Sequence, residues 1–151
     1  MIASQRNRWV ASVGACLAAV ALAGAPAAAQ AIPAEVMAAA EGYAADCDGG
    51  PSPASLVAQA RVSGSARPDY VIDLNVHDCP AYCGSAGCTL DVFVPGEGGY
   101  RLAFSSNVFG WSGLEGGRLA VSLHGSACKR AGVEACDRTL TFDRETGEFE
   151  Q

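Results

Sequence analysis

The chain has 151 residues, with 10 Lys and Arg against 16 Asp and Glu, a formal charge of −6 and two histidines. That length supports one hydrophobic core and not two independent ones. The acidic balance excludes the clustered cations that nucleic acid and anionic membrane surfaces require, and favours a basic protein or an envelope component as partner.

The first 29 residues read as an export signal. Arg6 and Arg8 form a positive leading region, Val10 to Gly24 is a run of small apolar residues, and Ala27-Ala28-Ala29 has the small-x-small pattern of a cleavage site, so cleavage after Ala29 or Ala31 is expected. The run falls short of the ~18 to 20 residues that cross a bilayer. Val13-Gly14-Ala15-Cys16 also has the form of a lipobox, but the richest apolar stretch follows Cys16 instead of preceding it. Residues 30–151 are therefore expected as one periplasmic or secreted domain. All sixteen acids but only eight basic residues lie in it, a net charge of −8.

Six cysteines remain beyond the signal. An even count in an exported chain of this size reads as a disulfide framework, and six cysteines allow 15 connectivities. The pairing adopted joins Cys83 to Cys88 and Cys128 to Cys136, closing short loops between strands. It also joins Cys47 to Cys79, tying the N-terminal segment to the sheet.

Pro33 can open a helix, and Ala34 to Ala45 is dense in Ala, Glu and Met, with Val36, Met37, Ala40 and Tyr43 roughly on one face. One helix ending near Asp46 is predicted. Asp48-Gly49-Gly50-Pro51-Ser52-Pro53 is then a loop, too short to separate domains. From Ser55 the pattern is β: Tyr70 to Val76, Leu90 to Val94, Tyr100 to Phe104, Leu119 to Leu123, Thr139 to Asp143 and Glu148 to Glu150 are predicted strands. Residues 95–99 and 144–147 are predicted hairpin turns.

The two halves, 55–105 and 106–151, share an order of features. In each, a strand ends at a histidine (His77, His124), the loop after it carries a matching cysteine pair (Cys83 and Cys88, Cys128 and Cys136), a Thr-Leu pair opens the next strand, and a Gly-containing turn follows. With weak strands near 56–62 and 106–113, each half becomes a four-stranded, blade-like antiparallel meander. Two such units cannot close a propeller. The expected fold is therefore mainly β, one N-terminal helix plus two repeats packed as a sandwich or barrel-like domain and braced by disulfides.

Arg61-Val62-Ser63-Gly64-Ser65-Ala66-Arg67-Pro68-Asp69-Tyr70 is similar to the calcium-binding loop of FG-GAP or VCBS-type β repeats. In that resemblance Ser63 and Ser65 stand at ligand positions, Arg61 replaces the leading Asp, and only Asp69 keeps a carboxylate. It implies a β repeat without the metal, because hard cations need several anionic oxygens. Cys83-Gly84-Ser85-Ala86-Gly87-Cys88 before a strand also resembles an element of small bacterial exported proteins of unknown function, which implies no activity.

Residue chemistry points to binding more than to catalysis. His77, Asp78, Cys79, Cys83 and Cys88 include zinc ligand types, but outside the cytosol the cysteines are better used in disulfides, so no metal or cofactor is expected. There is no Gly-x-Ser-x-Gly elbow, since Gly110-Trp111-Ser112-Gly113 has the wrong spacing. Tyr82 in a disulfide-braced loop, Trp111 in a Gly-rich loop, and His77 and His124 at loop bases are the candidate binding residues. The expected function is a non-catalytic exported binding or inhibitory module of the bacterial envelope, with an envelope hydrolase or a purely structural protein as alternatives. Lysozyme-inhibiting β proteins are similar in size, export and acidity, but the Ser-Gly-x-x-Tyr loop of several of them is absent here.

Overall fold

The computed structural model describes residues 31–47, 49–76, 79–130 and 134–150. The segment expected to direct export and His77 lie outside the described residues.

Helix α1 spans Ala34–Asp46, with Pro33 at its N-cap. Val36 and Ala40, one turn apart, are fully buried, and Tyr43 continues the same face. The chain then enters two antiparallel sheets. The first contains β1 (Val57–Ala60), β2 (Asp69–Asp73), β3 (Cys83–Gly84), β4 (Gly87–Gly96) and β5 (Gly99–Val108). In it β4 is central: β2 pairs with one side and β5 with the other, β1 lies outside β2, and β3 folds back on the start of β4. The second sheet is a meander in chain order, β6 (Gly110–Leu114), β7 (Arg118–His124), β8 (Ala135–Phe142) and β9 (Phe149–Glu150).

Side-chain alternation along β2 and β4 separates two cores. Tyr70, Ile72 and Phe93 face α1 with Leu56 and Leu74. Val71, Leu90, Val92 and Val94 face the opposite way, against Leu119, Val121, Leu140 and Phe149 of the second sheet. The layers are thus helix, five-stranded sheet and four-stranded sheet, and each fully buried Val or Leu contributes roughly 1.5–3 kcal/mol. Face-to-face packing of the sheets makes this a sandwich. Disulfides join Cys47 to Cys79, Cys83 to Cys88 and Cys128 to Cys136. Such bonds mark an oxidising, non-cytoplasmic compartment. Among the described residues no helix is long and apolar enough to cross a membrane.

Several elements differ from expectation. β2 stops at Asp73 and Leu74–Val76 is a 3-10 turn, because Asp73 Oδ1 accepts the Asn75 backbone and side-chain N–H at 2.9 and 3.0 Å. The weak strand placed at 106–113 is split: residues up to Val108 belong to β5, and β6 starts at Gly110. Only Phe109 lies between them, its N–H donating to Ser122 O at 2.7 Å, so the chain turns from one sheet into the other without a loop. The first sheet has a fifth strand because the Cys83–Cys88 hairpin inserts β3, and β5 carries one extra residue, Ala103, opposite the Val92/Phe93 step.

Candidate functional site

Four segments meet at one end of the sandwich and enclose a cleft of about 810 Å³. They are loop 63–66 between β1 and β2, turn 95–97 between β4 and β5, Tyr100 and Arg101 at the start of β5, and Phe142, Arg144 and Glu145 around the β8–β9 turn. Sequence separation hides this meeting.

Each wall is fixed by its own bonds. The Asp69 carboxylate, fully buried, accepts the Val62 and Ser63 amides at 2.6 and 2.8 Å and the Ser63 hydroxyl at 2.6 Å, so three donors compensate its burial and brace the loop. That is the carboxylate shared with the calcium-loop resemblance, and here it holds backbone. On the second wall Arg67 lies 5.4 Å from the Tyr100 ring centroid and donates Nη2 to Gly96 O at 3.1 Å. Tyr100 donates its hydroxyl to Pro68 O at 3.0 Å. Burial raises the Tyr100 pKa, partly opposed by the Arg67 charge. On the third wall Asp143 Oδ1 accepts the amides of Glu145 and Thr146 at 2.7 and 3.4 Å, closing the turn. Arg101 ties β5 to this turn: its Nη1 donates to Thr146 O at 3.1 Å, and its guanidinium fills the space that a Cβ on Gly147 would need.

The cleft thus brings together two guanidiniums, two carboxylates, serine hydroxyls and two aromatic rings, groups whose chemistry is that of hydrogen bonding and ion pairing. No protein-family model matches the chain, and no curated protein or solved structure shows significant similarity to it.

The residues singled out from sequence lie elsewhere. Trp111 is on strand β6, not in a loop; its ring packs against the core between the sheets and its Nε1 donates to Asp73 Oδ2 at 2.8 Å. It also borders a smaller hollow of about 270 Å³ with Ser112, Ser122 and Arg138. Tyr82 ends the 3-10 turn Pro80–Tyr82, packs edge-on against Tyr43 with ring centroids 4.7 Å apart, and donates its hydroxyl to Asp46. That hydrogen bond raises the Tyr82 pKa. Both aromatics are half-buried and spent largely on packing. His124 is the loop-base residue expected: its Nδ1 lies 2.8 Å from Ser126 Oγ and accepts the Ser126 amide at 3.3 Å, capping the 3-10 turn Gly125–Cys128. Among the described residues no hydrogen bond or ring contact links Tyr82, Trp111 and His124, and no group of three or more His, Cys, Asp or Glu could hold a metal ion.

The cleft residues were missed because none carries a local signal. Arg101, Arg144, Glu97 and Glu145 each read as solvated charges near turns. Only the closure of one sheet over the other brings them together.

Proposed function

We propose that this chain is an exported, non-catalytic binding module of the cell envelope that holds a polar ligand in the turn-lined cleft. The observation that carries it is the cleft: about 810 Å³ of concavity whose three walls are each cross-braced by side-chain hydrogen bonds. Pre-organised walls cut the ordering cost of binding. Export, with cleavage near residue 29, supplies the oxidising compartment that three disulfides need, and the −8 charge steers basic partners toward the molecule.

Two measurements test this. The protein recovered from the periplasm should begin near residue 30 by intact mass, and the full-length mass would remove the export reading. Amide spectra recorded with a panel of small sugars, amino acids and short peptides should shift at 63–66, 95–101 and 142–147 and nowhere else. Ala66→Trp, which fills an exposed lining position, should abolish those shifts. Perturbations centred on Tyr82, Trp111 or His124 instead would relocate the site.

A hydrolase is the second reading, favoured by one contact, His124 Nδ1 to Ser126 Oγ. Its geometry is that of a local cap: the partners are two residues apart, the same nitrogen accepts a backbone amide, and neither hollow includes them. Covalent labelling of Ser126 by a fluorophosphonate, lost in Ser126→Ala, would establish the hydrolase and displace the binding module.

A further inference from the structure

Four charged side chains line the cleft, two of each sign, Arg101 and Arg144 with Glu97 and Glu145. Among the described residues no ion pair joins them to one another or to any other charged group. Opposite charges at a protein surface ordinarily drift into contact at little gain or cost. Arg101 is anchored across Thr146 and Gly147, Glu145 sits in the turn closed by Asp143, and Glu97 stands at the tip of the β4–β5 hairpin beside Gly98 at φ +79°.

Ligand charge decides what such a cleft can accept. A purely anionic ligand would bring its charge toward two carboxylates within a molecule already at −8. A purely cationic one would meet two guanidiniums. Both mismatches grow as the cleft excludes water and the local dielectric falls. A ligand carrying both an oxyanion and an ammonium satisfies all four. Guanidinium forks are the side chains best matched to a carboxylate or phosphate, and Arg101 offers the better organised fork, since only its Nη1 is engaged.

We infer that the cleft takes a zwitterionic ligand, with its oxyanion against Arg101 and Arg144 and its cationic nitrogen against Glu97 and Glu145. This rests on the cleft being the binding site, and it adds the class of ligand. Peptide termini and phosphorylated amino sugars share the chemistry.

The test titrates the mature, oxidised protein with tri-alanine, its N-acetyl form, its C-amide and the doubly blocked form, and in parallel with glucosamine 6-phosphate and N-acetylglucosamine 6-phosphate. Amide shifts at 63–66, 95–101 and 142–147 are the readout. For one scaffold, the unblocked compound should bind and each block should weaken it about tenfold. Which scaffold binds distinguishes the peptide source from the sugar source. Arg144→Gln should reduce the preference for free acid over amide, and Glu97→Gln the preference for free amine over acetamide, with melting temperatures unchanged because both side chains are exposed turn residues. Equal binding of blocked and unblocked forms would overturn the zwitterion while leaving the cleft as the site. Shifts from neutral sugars alone would do the same. Absence of cleft shifts from every zwitterion at ~10 mM would overturn the ligand class. Absence from the whole small-molecule panel as well would overturn the proposed function with it.

Discussion

At the residue scale, Asp91 and Tyr43 make the most demanding contact of the interior. Asp91 is 3% exposed; Oδ2 accepts the Tyr43 hydroxyl at 2.7 Å, while Oδ1 has no partner. Burial, reinforced by the bond to Asp91, pushes the Tyr43 pKa well above its ordinary 10.0. The unfolded chain therefore loses this proton first as pH rises. The contribution of Tyr43 is complete below pH 10 and falls away as pH climbs toward its folded value. Tyr43→Phe should cost about 1–3 kcal/mol at neutral pH by leaving a buried carboxylate without its donor. It should also make the alkaline decline shallower, though not abolish it, because Tyr82 and Tyr100 are raised as well. Urea midpoints measured between pH 8 and pH 11 check both parts. Gly87 is a second constraint of this scale. Its φ is +91° and an added Cβ would lie 2.0 Å from Val108 O, so Gly87→Ala should cost at least ~2 kcal/mol, from left-handed strain plus the clash with β5 backbone. Thermal unfolding of the variant gives the figure. Neither constraint could be read from sequence: the strand predicted at Leu90 to Val94 does not say what covers each face, and α1 covers the one that Asp91 occupies.

Among the elements, the helix, the hairpins and the disulfides were the most readable. Ala34–Asp46 followed from composition and a one-face apolar pattern, and the 95–99 and 144–147 turns from their glycines. Cys83 and Cys88 stand directly opposite each other in the β3–β4 pair, and Cys128 and Cys136 flank the short connection from the turn after β7 into β8. Close spacing made these pairs visible; Cys47–Cys79, 32 residues apart and expected as the tie between the N-terminal segment and the sheet, forms as well. Loop-closure entropy ranks the three. Replacing Cys47 and Cys79 together by Ala should cost the most, about 3–4 kcal/mol, and Cys83 with Cys88 the least, about 2 kcal/mol, with Cys128 and Cys136 between. Urea titration of the three double variants tests that order. Trp111 shows where element-level reading fails. Glycines at 110 and 113 suggested a loop, but both are in strand β6, and glycine stands at 113 because a Cβ there would lie 2.8 Å from the buried Val62 Cγ1.

For the whole molecule, the question is whether the halves stand alone. The cluster between the sheets takes Val71, Leu90 and Val92 from the first and Leu119, Val121 and Leu140 from the second, so each sheet is the other's cover. Residues 109–151 alone should therefore be unfolded by circular dichroism and amide dispersion, and residues 30–151 together should melt in one transition. A folded 109–151 fragment would show that the second sheet is an independent unit. The second sheet is a plain four-stranded meander; the first departs from that plan through β3 and through the helix on its outer face. A duplication from one ancestral unit would have to accommodate both additions.

Local chemistry was enough to determine the mainly β character, the single leading helix, the turn positions and the short-range disulfides. Each of these depends on residues within one or two turns of chain, on propensity, periodicity and spacing. Tertiary structure alone decided the sandwich of two sheets under a helix, the inward placement of Tyr82 and Trp111, and the cleft. Those depend on which faces meet. A one-residue step along a strand exchanges core for surface, and the four charges of the cleft come from the β4–β5 turn, the start of β5 and the β8–β9 turn, which become neighbours only once the sheets close on each other.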